Sequence, residues 1–394
     1  MTDFATDFNH YTDEYASNPF PIWDDLRERC PVAHSESFRG MWVPTRHEDI
    51  VAIAQDVETF SSRSPLVAQY GNMADFGVTA PPISSDPPYH TEIRRMLLPF
   101  FSPGRIDALR PGVEAHCDEL IDAFVDTGSC DASIDYAQYI PVQVIATMLG
   151  IPPEDGDQFR IWVQQLLENA PTNIEVAGLH LFSLFQYFGE HMERMKASPS
   201  DDLISFLVAE AKESIGRELQ QDELFGMCLL LLLAGIDTTW SAIGASIWHL
   251  AQHQEDQKRL REEPELWPVA LEELLRAYAP VTMAREVAVD TEFNGCPMRR
   301  GDPLLLPFPS ANRDPEVFER ADEVIIDRAQ NRHLAFGVGI HRCLGSNLAR
   351  LEVQVAVSKF LERVGPFHLA DADGVTWAKG QVRGPRVLPI AFDR

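Results

Sequence analysis

The chain has 394 residues, with 60 acidic against 33 basic side chains and a formal net charge of −27. Acidity on that scale confers solubility and excludes nucleic acid as the main partner, while an apolar share of 45% is enough for a sizeable core. The six cysteines, Cys30, Cys117, Cys130, Cys228, Cys296 and Cys343, contain no Cys-x-x-Cys pair, which argues against a disulfide framework or a zinc site.

The start, Met1-Thr2-Asp3-Phe4, has neither a basic n-region nor an apolar h-region, so neither export nor an N-terminal membrane anchor is expected. Residues 21–29 read as a short amphipathic helix, residues 41–43 as the beginning of a small sheet, and Ile50 and Ile53 as the buried face of a helix. Residues 64–88 are rich in Pro and Gly and predict a loop. Helical periodicity then runs through 106–124, 140–148, 158–168, 177–195 and 203–210, and along a leucine-rich segment over 226–253. The apolar run 227–236 inside that segment is far shorter than the ~20 residues of a bilayer span and predicts a buried helix with no membrane role. His249 and His253 have metal-pair spacing without a third ligand, and are expected at the solvated end of the helix. Residues 367–392 read as short strands turning at Gly374 and Gly384-Pro385. No linker, repeat or low-complexity tract divides the chain, which predicts one unit over 1–394, mainly α with small β-sheets.

Several clusters carry chemistry. In Asp86-Pro87-Pro88-Tyr89-His90-Thr91-Glu92-Ile93-Arg94, prolines stop a loop and a helix begins, with His90 and Arg94 one turn apart on one face. In Ala234-Gly235-Ile236-Asp237-Thr238-Thr239, an acid beside a hydroxyl is suited to relaying protons, and two small residues leave room for the helix to widen. Glu273 and Arg276 stand at i, i+3, by itself the mark of a solvated surface pair worth under ~1 kcal/mol. Near the C-terminus, Phe336-Gly337-Val338-Gly339-Ile340-His341-Arg342-Cys343-Leu344-Gly345 frames one cysteine with glycines and opens onto a helix. A thiolate there gains from the helix N-terminus and from backbone N–H groups, and is suited to hold haem iron through sulfur. The plainer reading is a buried free cysteine in a glycine turn.

The spacing Phe336, Gly339, Cys343, Gly345 matches without departure the Phe-x-x-Gly-x-x-x-Cys-x-Gly signature of the cytochrome P-450 superfamily, the haem-thiolate monooxygenases. The chain resembles that family along nearly its whole length, because the other clusters follow in the family's order. The resemblance implies a helix-rich triangular prism with haem between a long central helix and the cysteine-loop helix. Cys343 would be the metal ligand, with Phe336 packed near the sulfur to keep water out, Gly337, Gly339 and Gly345 letting the backbone pass under the macrocycle, and Ala234 on its distal face. His90, Arg94, Arg285, His341 and His333 would meet the haem propionates. Asp237 and Thr238 would be the catalytic proton relay. Glu273, Arg276 and Arg328 would form a buried structural network.

It also implies a pocket touching Leu230, Leu233, Ala234, Val281, Met283 and Ala284, the loop 67–78 and the turn 379–382, with Phe182, Phe185 and Phe188 above. The implied activity inserts one oxygen atom from O2 into a small or medium hydrophobic substrate, aromatic ones included, by hydroxylation or oxidative dealkylation. The cofactor is haem b, and electrons come ultimately from NAD(P)H through an external iron–sulfur ferredoxin and its reductase. That ferredoxin is expected on a basic patch of Arg94, Arg95, Arg105, Arg342 and Arg350, in a cytoplasmic protein without membrane contact. The alternatives are a haem peroxygenase driven by H2O2, and a non-catalytic haem sensor or electron carrier.

Overall fold

The computed structural model describes residues 3–68, 78–209 and 211–393. The mainly helical expectation holds, and the largest apolar cluster is mostly helical, built around the 32-residue central helix Gln221–Gln252 and joined by strand residues such as Phe367 and Ile390. That helix starts at a capping box in which the Glu223 carboxylate accepts the Gln220 N–H at 2.7 Å, satisfying an N-terminal donor that would otherwise be orphaned. By length and apolarity it could cross a membrane, with a mean hydropathy of 1.6 over its best window. Burial decides otherwise: 67% of that window is packed inside the protein, so the helix is a core element and its role does not follow from its length.

The helices of the chain's middle third appear close to where periodicity placed them, at Tyr139–Leu149, Gly156–Gln164, Ile174–Ala197 and Leu203–Ala209. The stretch 106–124 is two helices, Pro103–Asp107 and Arg110–Asp122, because Pro111 sits in the first turn of the second and starts a new helix. Gly235 does not let the central helix widen. The helix is unbroken there, and a Cβ on Gly235 would stand 2.3 Å from Ile145 Cδ1, so the glycine admits the crossing of helix Tyr139–Leu149. His249 is buried, not solvated; its ring bridges Tyr278 Oη at 2.8 Å and Asp256 Oδ2 at 2.9 Å and stacks on the exposed His253.

The main sheet has the order Val32–Ser35, Met41–Pro44, Pro303–Pro307, Thr282–Val287, Phe60–Ser61. Its one parallel pair is Met41–Pro44 with Pro303–Pro307. Alternation along Thr282–Val287 sends Met283 and Arg285 to one face and Ala284 to the other, where Ala284 is fully buried beside Phe8 and Trp23. The C-terminal strands Phe367–Leu369 and Pro385–Val387 lie against the central helix. Small residues permit that approach: a Cβ on Gly384 would stand 2.3 Å from Ser241 Cβ.

Candidate active site

A cleft enclosing about 1500 Å³ of atom-free space, part of it continuous with solvent, separates the central helix from the segment bearing Cys343. Leu230, Ala234 and Thr238 form its wall on the central helix, one helical stripe. Phe336, Gly337, Cys343 and Gly345 form the opposite wall.

The cysteine loop is a tight return in which the Cys343 N–H donates to the Phe336 carbonyl at 2.8 Å. Gly337 and Gly339 take φ of +66° and +75°, left-handed values that L side chains resist. A Cβ on Gly339 would also come within 3.0 Å of the Ala54 carbonyl, so that glycine seats the loop on helix His47–Gln55 and does not face the cleft. Burial pushes the Cys343 thiol up, against the opposing influence of the Gly345 N–H and of Arg94, Arg342 and Arg350. Iron ligation would outweigh that burial, since a metal deprotonates a coordinating thiol outright.

Behind the loop, Arg350 pairs with Glu272 through Nε and Nη2 at 2.6 and 2.7 Å and lies 4.4 Å over the Phe336 ring. His333 joins this brace and does not reach the cleft. Its Nδ1 accepts the Ala335 N–H at 3.1 Å and its Nε2 donates to Glu272 at 2.9 Å.

On the far edge, His90 is buried with neither ring nitrogen hydrogen-bonded, and the His341 ring lies 4.3 Å away with its Nε2 unpartnered. Arg285 is buried, donates to the Ala284 carbonyl at 2.7 Å and leaves its Nε without a partner. Arg94 borders the same edge and donates to the Arg342 carbonyl at 2.5 Å. Burial, with the neighbouring cations, drives His341 down to about 2 and lowers His90; burial also lowers Arg285 to about 10. A buried donor left unmade costs about 1–3 kcal/mol, and several stand together here. Two carboxylates among them would satisfy the donors and reverse the shifts. With a sulfur on one wall and no bulk at Ala234, Gly337 or Gly345, these residues fit haem.

Asp237 and Thr238 are adjacent in sequence, but the helix turns them about 100° apart. Thr238 borders the cleft and donates to the Ala234 carbonyl at 2.7 Å. Asp237 is buried, with Oδ1 taking the Arg386 Nη2 at 2.7 Å and Oδ2 unpartnered. Burial raises its carboxyl to about 6 despite Arg386. Sequence reading passed over Arg386, which comes from a C-terminal strand, also holds Glu168 at 2.5 Å and stacks 4.1 Å over Trp240. It passed over Glu352 as well, a cleft-lining carboxyl on helix Ser346–Val364 that burial keeps neutral, with Oε1 unpartnered. Neither lies in a recognisable motif.

Glu273, Arg276 and Arg328 come together as one buried network. Glu273 also accepts the Ile325 N–H at 2.8 Å and Asn331 Nδ2 at 3.0 Å. Among the pocket expectations, Leu230, Ala234, Val281 and Met283 line the cleft. Leu233 lies off the helical stripe and packs on the core, and Ala284 faces away with the strand's alternation. Phe182 and Phe185 are exposed and Phe188 is core. The turn 379–382 docks the N-terminal segment instead, through Lys379 with Asp13 and the Gly380 N–H to His10. Of loop 67–78, residues 69–77 lie outside the described residues; Pro81, Pro82 and Ile83 beyond it reach the cleft. The basic patch shrinks as well, since Arg105 pairs with Asp201 and Arg350 with Glu272. Arg342, next to Cys343 in sequence, and Arg95, which borders a separate groove with Asp201 and Ser214, remain exposed, with no ion pair among the described residues.

The sequence model of the Cytochrome P450 family matches residues 180–364. Over 403 aligned residues the chain is 33% identical to "Polyketide biosynthesis cytochrome P450 PksS" of Bacillus subtilis (strain 168), covering 98% of this chain and 99% of that protein. The solved structure of that Bacillus subtilis cytochrome is similar with a TM-score of 0.89 at 34% identity, over 98% of this chain and 100% of the other. "Vitamin D(3) 25-hydroxylase" of Pseudonocardia autotrophica is 34% identical over 389 residues, 97% of this chain and 96% of its own length. With that likeness end to end, and a thiol facing a cleft rimmed by unpaired donors, the chain belongs to the cytochrome P450 family and is a haem-thiolate monooxygenase using haem b, O2 and electrons derived from NAD(P)H.

Proposed function

We propose that this monooxygenase acts on a neutral, hydrophobic small or medium compound, by hydroxylation or oxidative dealkylation, in the cytoplasm and with electrons from a ferredoxin. The observation that carries the substrate class is the division of labour in the cleft. Its cations Arg94 and Arg285 gather with the His341 imidazole at the propionate edge, whereas Ile83, Leu230, Leu231, Val281 and Met283 supply apolar surface. A charged substrate would have to be desolvated against these residues without a counter-ion. The relatives named for polyketide biosynthesis and vitamin D(3) hydroxylation are consistent with a lipophilic class.

Haem, when bound through Cys343, supplies the oxygen-activating redox chemistry. This chain's residues do the rest. His90, His341, Arg285 and Arg94 would hold the propionates, and Phe336 under Arg350 excludes water from the sulfur side. Thr238 keeps its hydroxyl hydrogen on Ala234, leaving the oxygen's lone pairs free to anchor a water in the cleft. Asp237 would resupply protons to that water by leaving Arg386, because its carboxyl titrates close to working pH. A peroxide-driven enzyme has no need of such a relay. Arg95 and Arg342, exposed on an acidic protein, would receive the acidic ferredoxin.

The substrate class is tested by optical titration with a compound library. Neutral lipophilic compounds should shift the ferric spin state while their carboxylated analogues do not, and a set of hits dominated by anions would refute the assignment. Replacing Thr238 with Ala should lower product formed per NAD(P)H consumed by at least about tenfold; unchanged coupling would show the hydroxyl to be dispensable. A pH profile tests the acid. Coupling should change around pH 6, where Asp237 exchanges its proton. Because Arg386 stabilises the ionised form, Arg386→Gln should move that inflection to higher pH, and Asp237→Asn should remove it. An inflection that survives Asp237→Asn belongs to another group.

A further inference from the structure

We infer that Cys30 and Cys296 are an oxidisable thiol pair, able to close into a disulfide that ties the end of helix Phe20–Arg29 to the hairpin Thr291–Met298. The two residues come from opposite ends of the chain. Cys30 caps its helix, with its N–H on the Leu26 carbonyl at 2.8 Å, and Pro31 ends the helical run there. Cys296 begins the second strand of a hairpin whose turn, Asn294-Gly295, takes φ of +50° and +79°. That is the left-handed pair a tight two-residue hairpin requires, and it fixes where Cys296 points.

Both sulfurs are directed at one atom. Cys30 Sγ lies 3.7 Å and Cys296 Sγ 3.8 Å from the carbonyl oxygen of Val32, so the sulfurs are no farther apart than those two distances laid end to end. Both side chains are partly exposed, whereas Cys117 and Cys228 are buried and Cys343 faces the haem cleft. Two weak S–H contacts to a single carbonyl give little to hold the thiols apart.

The two sulfurs divide the reaction between a thiol that meets the oxidant, taken as Cys30, and a resolving thiol, Cys296. With hydrogen peroxide as oxidant, the Cys30 sulfur takes one oxygen as the O–O bond of the peroxide breaks, and its proton leaves with the other oxygen, giving a sulfenic acid and water. The Cys296 sulfur then displaces that hydroxyl, forming the S–S bond; its proton leaves with the hydroxyl as a second water. Both electrons lost by the sulfurs reduce the peroxide. The bond would close most of the chain into one loop, where restriction of the unfolded state is greatest.

The test treats the haem-loaded full chain with stoichiometric hydrogen peroxide, alkylates the remaining thiols and maps peptides without reduction. The expected result is a Cys30–Cys296 linked peptide two hydrogen masses lighter than the reduced pair, lost on adding dithiothreitol, together with a raised thermal midpoint. Cys30→Ser should abolish both the link and the midpoint change. Separate alkylation of Cys30 and Cys296 under conditions that oxidise Cys130 would overturn the inference. So would a link joining two chains through Cys30, since either places the oxidised partner elsewhere. The outcome does not depend on what enters the haem cleft.

Discussion

Replacing Arg276 with Leu is expected to leave almost no folded protein at 37 °C. Arg276 is fully buried and makes five short hydrogen bonds: two to Glu273 at 2.8 Å, and one each to the carbonyls of Asn312, Ala321 and Glu323 at 2.7–2.8 Å. Leucine removes the cation but leaves the Glu273 carboxylate and three carbonyls in a dry interior. Breaking one partner out of a buried pair costs about 3–5 kcal/mol, a large part of the roughly 5–15 kcal/mol that holds a domain together. The measurement is soluble yield and the urea midpoint. Lysine at 276 keeps the charge without the planar fork and should fall between the two. The exposed pair of Arg29 with Asp25 provides the contrast; Arg29→Leu should shift stability by no more than about 1 kcal/mol. A wild-type midpoint for Arg276→Leu would mean that the network does not carry the segment leading to Cys343.

How much of this was legible beforehand depended on whether a residue's role followed from its neighbours in sequence. The cysteine loop, the Glu273–Arg276 pair and the His90–Arg94 turn are local patterns, and the structure places each at the cleft or in the buried network. Period errors account for some misses. Ala284 was grouped with Val281 and Met283 as one run, although a strand alternates its faces, and Leu233 sits off the stripe that runs through Leu230, Ala234 and Thr238. Other misses are long-range. Arg386 reaches Asp237 from 149 residues away in sequence, and Glu272 claims Arg350 and His333 from 78 and 61 residues away. Sequence spacing carries no trace of such pairings, so a basic patch drawn from position alone included arginines that are already neutralised. The role of Gly235 was invisible for the same reason, because Ile145 fills the space beside it.

Replacing Cys343 with Ser is expected to abolish turnover while leaving the fold and the haem pocket largely in place. Serine is nearly isosteric, and the loop's geometry depends on the Cys343 N–H bond to Phe336 and on the glycine conformations, neither of which involves sulfur. The edge donors His90, Arg285 and His341 would still meet the propionates, so haem content should fall only in part. The electronic consequence is the larger one. An anionic sulfur ligand donates electron density to the iron in a way a hydroxyl cannot, and loss of outer supports alone costs metal sites about 10–100-fold; loss of the ligand itself should exceed about 100-fold in activity. Reduced, carbon-monoxide-bound protein should lose the red-shifted Soret band of thiolate ligation in the variant and keep it in the parent. Glu272→Gln supplies a graded case. Weakening the hold on Arg350 and His333 should disturb the packing over Phe336 and convert part of the reduced population to the unshifted band while Cys343 is still present. If Cys343→Ser retained the shifted band, iron would be bound by some other group, and the cleft would need to be reinterpreted from its ligand outward.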